Sequence, residues 1–563
     1  MKKVKEECKK RYVADFETAE DLEDETYVWA WAICDCDDLK TEFGTEIKTF
    51  IDKLFKLEDQ CVVYFHNLKF DGSFILNYLL QNGYTQTLEK ITKMKNKQFK
   101  CLVSGLGSWY QITIKNKNKI ITICDSLKKL PFTVKKIAKD LKLKESKGEI
   151  DYKKHRDEGG VLTEEDKDYI RRDVEIIAQA MKLMFFDKNL YKITIGSDCM
   201  EYYKTICKNF KTIFPVLDDV IDEFVRNSYC GGICQVKDDI EKVNEIGSTF
   251  DYNSMYPSQL HSSSGNLFPF GEPIYFKGEY VDDPRYPLYV IHFKAIFEIK
   301  KDHIATIQIK NDCLFRANEF VKNSYGLPID LYMTNIDFEI FKQQYDIIAI
   351  EFIDGYKFHG AKGLFDKYID YFYKMKEEAT INKDPINRQL AKLFLNNLYG
   401  KFGSSPKTSY MTFNVDNEVL KRTAVSDSKK SVYCPVAAFT TAYARRELVN
   451  AIQSNYENFC YCDTDSIHIK GTEAKGIKIH DSALGCWKNE SEWDQALFLR
   501  QKTYAEHIDN EWEFKCAGLP AECRKNMTID DFYIGSVIPG KLMSKQVKGG
   551  TKLIETTFEI KAI

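Results

Sequence analysis

Two carboxylates sit two residues apart in Tyr461-Cys462-Asp463-Thr464-Asp465-Ser466, between apolar-alternating runs Asn458 to Cys462 and Ile467 to Ile469. That pattern predicts strand, tight turn, strand, with both carboxylates at one exposed tip. Like charges so close repel unless a cation neutralises them. Hard divalent ions such as Mg²⁺ prefer oxygen ligands of this kind. A pair of such ions clamps the attacking and leaving oxygens of a phosphoryl transfer. A lone Asp-x-Asp also describes an ordinary acidic hairpin turn, so the choice rests on what else the chain carries.

A second carboxylate set lies near the N-terminus. Asp15 and Glu17 follow Tyr12 and Val13 in a strand pattern, and residues i and i+2 share one face. Asp71 ends the run His66-Asn67-Leu68-Lys69-Phe70-Asp71, directly after the strand pattern Cys61 to Phe65. Asp173 falls on a helix pattern beside the stripe Ile170, Val174, Ile177, Ala178 and Met181, with Tyr169 one turn earlier. Carboxylates at a core-facing edge need partners. Four of them converging would hold two metal ions that activate a water on a phosphodiester. Among 84 acidic residues each one alone reads as solvated charge. The ordered set Asp-x-Glu, Asn-x-x-x-Asp and Tyr-x-x-x-Asp is far harder to obtain by chance.

A third set lies between these two. Asp251-Tyr252-Asn253-Ser254-Met255-Tyr256-Pro257 follows strand residues Thr249 and Phe250, which places a carboxylate at a strand end before a helix start. In the helix predicted over Asn387 to Phe402, Leu390, Leu393, Phe394 and Leu398 make an apolar stripe. Arg388, Lys392, Asn396 and Tyr399 recur on another face. Two cations, an amide and an aromatic ring in line suit a triphosphate and a base, although a solvated amphipathic face has the same composition.

The elements that must position these groups follow from length and pattern. At 563 residues the chain exceeds one core, and roughly three to four domains follow. The net charge of −3 supplies no global basic field toward nucleic acid. Charge is instead segregated: Glu17 to Glu25 is acidic, and Lys115 to Lys147 is lysine-dense. The 17 cysteines form no Cys-x-x-Cys zinc pattern and read as reduced thiols of a cytosolic compartment. Met1 to Arg11 lacks an apolar signal-peptide core, and no apolar run approaches the roughly 20 residues that span a bilayer. Residues 1–190 alternate strands and helices as an α/β block. Strands are predicted at Tyr12 to Phe16 and Tyr27 to Ile33, a helix at Phe74 to Leu80, and a hairpin at Ile112 to Cys124. Thr163 and Asp166 form a capping box. Pro269 to Gly360 is strand-rich, Leu364 to Tyr399 is helical with a break at Asp384-Pro385, and 404–431 is a polar exposed hairpin or loop. The tail, 521–563, carries short strands and a turn at Lys545 to Gly550.

Together these motifs resemble the family B DNA polymerases. Asp251 to Pro257 resembles motif A, with Met255 in place of leucine; Lys392 to Gly400 resembles motif B, with Asn397 in place of serine; Tyr461 to Ser466 resembles motif C. The N-terminal carboxylates resemble a 3′–5′ proofreading exonuclease of the DEDD type. The resemblance implies an α/β and α+β multidomain chain. An RNase H-like 3′–5′ exonuclease domain is followed by a right-hand polymerase of palm, fingers and thumb with two insertions. It places the exonuclease at 1–190, the palm at 191–260 and 432–520, and the fingers at 360–403. The insertions fall at 261–359 and 404–431, and the thumb at 521–563.

By the same resemblance Asp251, Tyr252 and Asp465 hold two Mg²⁺ ions beside Asp463, with Mn²⁺ as a substitute. Asp15, Glu17, Asp71 and Asp173, with Tyr169, form the second two-ion site. Lys392, Arg388, Asn396, Tyr399, Tyr252 and Tyr256 serve the incoming deoxynucleoside triphosphate. Thr18, His66, Asn67, Phe70, Ser126, Leu127, Lys147 and Tyr152 hold the single-stranded 3′ end, where Phe70 and Tyr152 suit base stacking and Phe70 equally suits core packing. Tyr229-x-Gly231-Gly232 and Lys502-Thr503-Tyr504 contact template and primer. The two insertions and the lysine motif at Lys147 resemble the protein-primed replicases of small linear-genome bacteriophages. That branch implies a priming terminal protein, a monomer or a heterodimer with it, strand displacement, no membrane, and the cytoplasm of a bacterial host. Three rivals remain at this point: an exonuclease with a dead polymerase remnant, a non-catalytic DNA-binding component, and a DNA-primed polymerase without protein priming.

Overall fold

The computed structural model describes residues 5–20, 25–142, 156–309, 319–525 and 527–562. Lys147 and Tyr152 lie outside the described residues. No helix among the described residues is long and apolar enough to cross a membrane. The cysteines among them are all free thiols.

The N-terminal block is built on a mixed eight-stranded sheet. Its central strand, Arg11–Glu20, runs antiparallel to Thr26–Asp35 and parallel to Val62–Phe65. Period-two alternation splits that strand between two cores. Tyr12, Ala14 and Phe16 pack with Phe50, Phe65 and Phe74. Val13 packs on the other face with Tyr169, Ile170 and Val174 of the helix Glu164–Lys182. Asp15 and Glu17 share the parity of Val13, so the helix side is the one they address. Thr163 and Asp166 close the expected capping box at that helix, and Arg156 pairs with Asp166 at 3.2 Å.

A second sheet, of five strands, has the spatial order Trp487–Trp493, Gly247–Tyr252, Ser466–Lys470, Phe459–Asp463, Cys234–Val236. One face is covered by the helix Pro435–Ser454 through Ala444, Leu448 and Ile452. The other face meets Ala496 and Phe498 of a four-stranded sheet. The predicted helical break is real. Asp366–Ile381 ends before Asp384, whose side chain accepts from the Asn387 N–H at 3.1 Å, and Pro385 opens the helix Pro385–Phe402. The strand-rich region forms a four-stranded sheet with the helix Asn335–Gln344 against it.

Two expectations need correction. The tail strands are long, Val537–Val547 and Gly550–Glu559, because cross-strand pairing carries them through the Pro539-Gly540 interruption as a shift in register. The polar segment at 404–431 is a hairpin, Lys407–Asp416 and Val419–Ser428, but it is not simply exposed. Met411, Phe413 and Leu420 are buried in the N-terminal core, and Phe413 lies 5.3 Å from Trp109 between ring centroids. Gln86 holds it at both ends, donating to the Met411 carbonyl at 3.1 Å and accepting from the Phe413 N–H at 2.7 Å. The tip of the tail hairpin meets the same block. The Thr26 N–H donates to the Lys548 carbonyl at 3.0 Å, and Lys548 pairs with Glu25 at 2.9 Å and Glu418 at 3.2 Å.

Truncating a buried phenylalanine costs about 3–5 kcal/mol, and here the loss falls on a seam between elements far apart in sequence. Phe413→Ala should therefore open the hairpin to limited proteolysis within 407–428 while the eight-stranded sheet keeps its strand signature in circular dichroism. Unchanged cleavage would show that the hydrogen bonds from Gln86 hold the seam alone.

Candidate active sites

Strand register builds the first site. Ser466 pairs with Asp251 on one side and with Asp463 on the other, so the ends of three strands come level. The turn between them is tight. Thr464 has φ 62°, a conformation that a β-branched residue adopts only when its surroundings enforce it. Its N–H donates to the Ile233 carbonyl at 2.8 Å. Gly232 permits the approach: a Cβ there would lie 3.1 Å from the Thr464 Cα. The Tyr252 N–H donates to the Asp465 carbonyl at 2.7 Å and locks the turn to the strand of Asp251.

The electrostatics follow from this crowding. Burial first, and Asp465 second, push the Asp251 carboxyl up to about 7. Burial and then Asp463 push Asp465 up to about 6. Asp463 is handled differently, since its Oδ1 accepts from the Lys502 ammonium and its Oδ2 from the Tyr461 hydroxyl at 3.5 Å. The site therefore offers two carboxylates for a cation, with the third already neutralised. Among the described residues no group of three or more His, Cys, Asp or Glu side chains forms a closed cage for a metal ion. A Mg²⁺ site of one or two carboxylates completed by substrate phosphates has this donor set, so the residues fit the ion.

The helix Pro385–Phe402 faces this point. Lys392 acts on Asp251 as a positive charge, and its own surface is exposed, as are those of Arg388 and Asn396. The ring of Tyr399 stacks on Tyr256 at 4.3 Å. Tyr229 lies under the end of that helix, where a Cβ on Gly403 would meet its hydroxyl at 2.6 Å. The Gly231 carbonyl accepts from Arg445 at 2.7 Å. Tyr504 packs 4.9 Å from Tyr461, and the Lys502 N–H donates to the Tyr461 hydroxyl at 3.0 Å.

Four participants went unread in the sequence. Lys376, on Asp366–Ile381, donates to the Ser254 hydroxyl at 3.2 Å. Burial holds its pKa below the ordinary lysine range, with the charges of Arg388 and Lys392 adding to that. Glu490 raises both Asp251 and Asp465, and Lys488, paired with Asp251 across the sheet, lowers Asp251. Arg445 grips Asp337 with two contacts of 2.8 Å and the Cys230 and Gly231 carbonyls at 2.7 Å. None sits in a recognisable spacing; they arrive from three elements, Lys488 and Glu490 together on the strand Trp487–Trp493.

The second site lies on the N-terminal sheet. Asp71, at the start of the helix Leu68–Gln81, is 4% exposed. Burial first, then Asp15 and more weakly Glu17, push its carboxyl well above the usual range, while the Phe16 N–H hydrogen-bonds to it. Glu17, Tyr169 and Asp173 are buried as well. The neighbouring loop is organised around Asp125 and His66. Asp125 accepts from the Asn67 N–H at 3.2 Å and the Leu127 N–H at 3.0 Å. His66 bonds the Ser126 hydroxyl at 2.9 Å and the Phe132 carbonyl at 2.7 Å. Asn67 has φ 81°, and Thr18 sits just past a bulge in its strand. Phe70 is half-buried, 5.6 Å from Phe74, and packs on the core with one side.

The family described as DNA polymerase type B, organellar and viral, matches residues 54–483. The chain is 40% identical over 586 residues to the DNA polymerase of Bacillus phage phi29, covering 98% of this chain and 99% of that one. It is 34% identical to the DNA polymerase of Streptococcus phage Cp-1 over 98% of each. The solved structure of phi29 DNA polymerase with primer-template DNA and incoming nucleotides matches with a TM-score of 0.92 at 38% identity, over 98% of this chain and 100% of that one. The phi29 enzyme with single-stranded DNA matches at 0.89 and 37% over 98% and 100%.

The raised carboxyls of Asp251 and Asp465 set a linkage for cation uptake, because a metal ligand must shed its proton first. Affinity for Mg²⁺ should climb as the pH rises from below about 6 to above about 7, with proton release in calorimetry. Asp251→Asn should flatten that rise. An affinity already level across this window would mean that both carboxylates ionise without the ion.

Proposed function

Since this chain belongs to the type B DNA polymerases of organelles and viruses, we propose a residue-by-residue division of labour between its two sites. The chain is a template-directed DNA polymerase with a 3′–5′ proofreading exonuclease, folded as an exonuclease domain followed by palm, fingers and thumb. The observation that carries the assignment of roles is the level meeting of Asp251 and Asp465, faced by the cations of the fingers helix. Divalent metal ions supply a Lewis acid there when bound, with Mg²⁺ as the ion and Mn²⁺ as its substitute.

Asp251 and Asp465, with Tyr252, hold that ion pair. Lys502 keeps Asp463 neutralised and stands where the primer end arrives, beside Tyr504. Lys392, Arg388 and Lys376 gather the triphosphate of a deoxynucleoside triphosphate, and their mutual repulsion without it favours its uptake. Asn396 and the stacked pair Tyr256–Tyr399 border the sugar and nascent base pair. The primer 3′-hydroxyl attacks the α-phosphate, and pyrophosphate leaves. In the exonuclease, Asp15, Glu17, Asp71 and Asp173 hold the ions and Tyr169 orients the attacking water. Thr18, His66, Asn67, Phe70, Ser126 and Leu127 receive the frayed strand, and Lys147 and Tyr152 join them by motif. Tyr229, Gly231 and Gly232 guide the template between the two sites.

Initiation uses a hydroxyl of a terminal protein, in the cytoplasm of a bacterial host. The polymerase works alone or paired with that protein. The region 261–359 docks it, and 404–431 encloses DNA and parts the strands. The rivals fit less well. A dead remnant or a purely binding component would have no reason to keep desolvated carboxylates opposed by three cations.

Two sets of variants test this. Asp251→Ala or Asp465→Ala should abolish synthesis and spare single-strand degradation, while Asp15→Ala or Asp71→Ala should do the reverse. Loss of both activities in a folded Asp465→Ala protein would sink the two-site reading.

Protein priming is tested on the exposed end of the strand Tyr345–Ala361, where Ile348, at a shift in register, and Ile350 are 64% and 37% exposed. Ile348→Glu/Ile350→Glu should cut nucleotide transfer to the terminal protein at least tenfold, roughly the 1.4 kcal/mol that tenfold represents, and leave DNA-primed synthesis near wild type. A parallel fall of both, or failure to label any partner protein, would leave a DNA-primed polymerase.

A further inference from the structure

A dry ion pair joins the exonuclease loop to the fingers. Lys129 is 0% exposed and Asp198 4%. The Lys129 ammonium donates to Asp198 Oδ2 at 2.5 Å and to the Leu190 carbonyl at 2.7 Å. The other oxygen of Asp198 accepts from the Lys192 N–H at 2.9 Å. The Phe185 ring lies 5.5 Å from the ammonium and closes the site. Burial holds Lys129 below the ordinary lysine range and Asp198 above the usual carboxylate range, so the pair forms against its desolvation. Well-packed apolar residues of similar volume are often at least as stable as such a pair. What the pair adds is a fixed geometry between the elements that carry it.

Those elements lead to both sites. Lys129 directly follows the turn Ser126–Lys128, which the Asp125 and His66 hydrogen bonds fasten to Asn67. Asp198 is on the helix Ile195–Ile206, which lies along the fingers helix: a Cβ on Gly196 would lie 3.8 Å from Asn397. The Tyr203 hydroxyl of the same helix donates to the Leu364 carbonyl at 2.9 Å, just before the other fingers helix. Apolar contact also joins the two regions, since Met184 and Leu390 belong to one buried cluster against which Leu130 and Leu393 pack. That contact is incompletely filled: an apolar cavity of about 50 Å³ is lined by Leu130, Ile137 and Met184 and by Ile386, Leu390 and Leu393. The directional, hydrogen-bonded connection thus runs through the ion pair, beside an apolar seam that is not completely filled.

We propose that Lys129 and Asp198 are positioning residues that couple the nucleotide-binding fingers helix to the exonuclease loop that receives the 3′ strand. They thereby set the nucleotide concentration at which the enzyme turns from degrading a primer end to extending it. The inference rests on the two-site reading above. When the fingers helix shifts on nucleotide binding, the helix Ile195–Ile206 follows it, and the ion pair carries the shift into the turn Ser126–Lys128. Neither residue touches substrate, so each isolated reaction keeps its own rate.

Lys129→Met alone strands a buried carboxylate and should unfold at lower temperature. The informative protein is therefore Lys129→Met/Asp198→Leu, which replaces the pair by apolar side chains. Four quantities are measured beside wild type: melting temperature, degradation of free single-stranded DNA, extension at saturating nucleotide, and the nucleotide concentration giving net extension of a primed template. The double variant should keep its melting temperature, hold both isolated rates within about twofold, and shift the switching concentration by about fivefold or more, the lower end of a typical coupling between sites. Lys129→Arg, which keeps the charge, should stay near wild type. An unmoved switching concentration in the stable double variant would overturn the proposal and leave the two sites intact. A wild-type protein lacking one activity would instead overturn the two-site reading, and this inference with it.

Discussion

Two carboxylates forced level at the end of a sheet, with too little water to screen them, set the terms for the rest of this molecule. Asp251 and Asp465 would separate if their strands were free to slide, because repulsion and desolvation both favour it. Register prevents that, and register is held from behind. His468 Nδ1 lies 2.7 Å from Glu506, the Thr249 hydroxyl donates to the same carboxylate at 2.6 Å, and the Trp493 indole donates to Thr249 at 3.3 Å. Burial pushes the Glu506 carboxyl up, but the His468 and Thr249 hydrogen bonds outweigh it and hold Glu506 below the usual range. Hydrogen bonds shared among three strands in this way favour one alignment of them, although His468 Nε2 is left without a partner. It ties the strand of Asp251, the strand after the Asp465 turn, and the strand of Tyr504.

The same constraint explains why cations are placed as they are. Lys502 compensates the charge of Asp463 at the tip, which leaves two uncompensated carboxylates there and not three. Lys392, Lys376 and Arg388 are held on helices that pack on each other and not on the sheet. Positive charge therefore approaches the carboxylates from helices that share a core with Pro435–Ser454, not from the strands of the two carboxylates. An anionic tip held by strand register and faced by helix-borne cations suits a polyanion that brings its own metal ions.

Much of this was readable in the chain because the motifs are local. Strand, turn and strand around Asp463 and Asp465, the helix break at Pro385 and the capping box at Thr163 each depend on residues a few positions apart. What the sequence hid depends on distant pairing. Lys488 and Glu490 look like ordinary surface charge until the strand Trp487–Trp493 is laid against Gly247–Tyr252. Lys376 is one lysine among many until its helix folds over Ser254. The hairpin at 407–428 misled for a related reason. Its composition is polar, yet three apolar side chains on one face suffice to seat it in another domain's core. The long tail strands were hidden by Gly540 and by lysines that interrupt the alternation.

That seating has a consequence for how the protein is made. The N-terminal sheet leaves the ribosome first, but part of its core arrives with Met411, Phe413 and Leu420, nearly three hundred residues after the strand Trp109–Asn116. Its flank by Phe74 and Ser73 closes only with Gly550 and Thr551, 478 residues after Ser73 in the case of Thr551. Vectorial synthesis thus runs against completion: the first block emerges with a greasy face open and is finished last. A growing chain must keep that face from other nascent chains for most of its synthesis time. A detached N-terminal block would expose the apolar face that Met411, Phe413 and Leu420 cover, so these later segments join the two activities through a shared core.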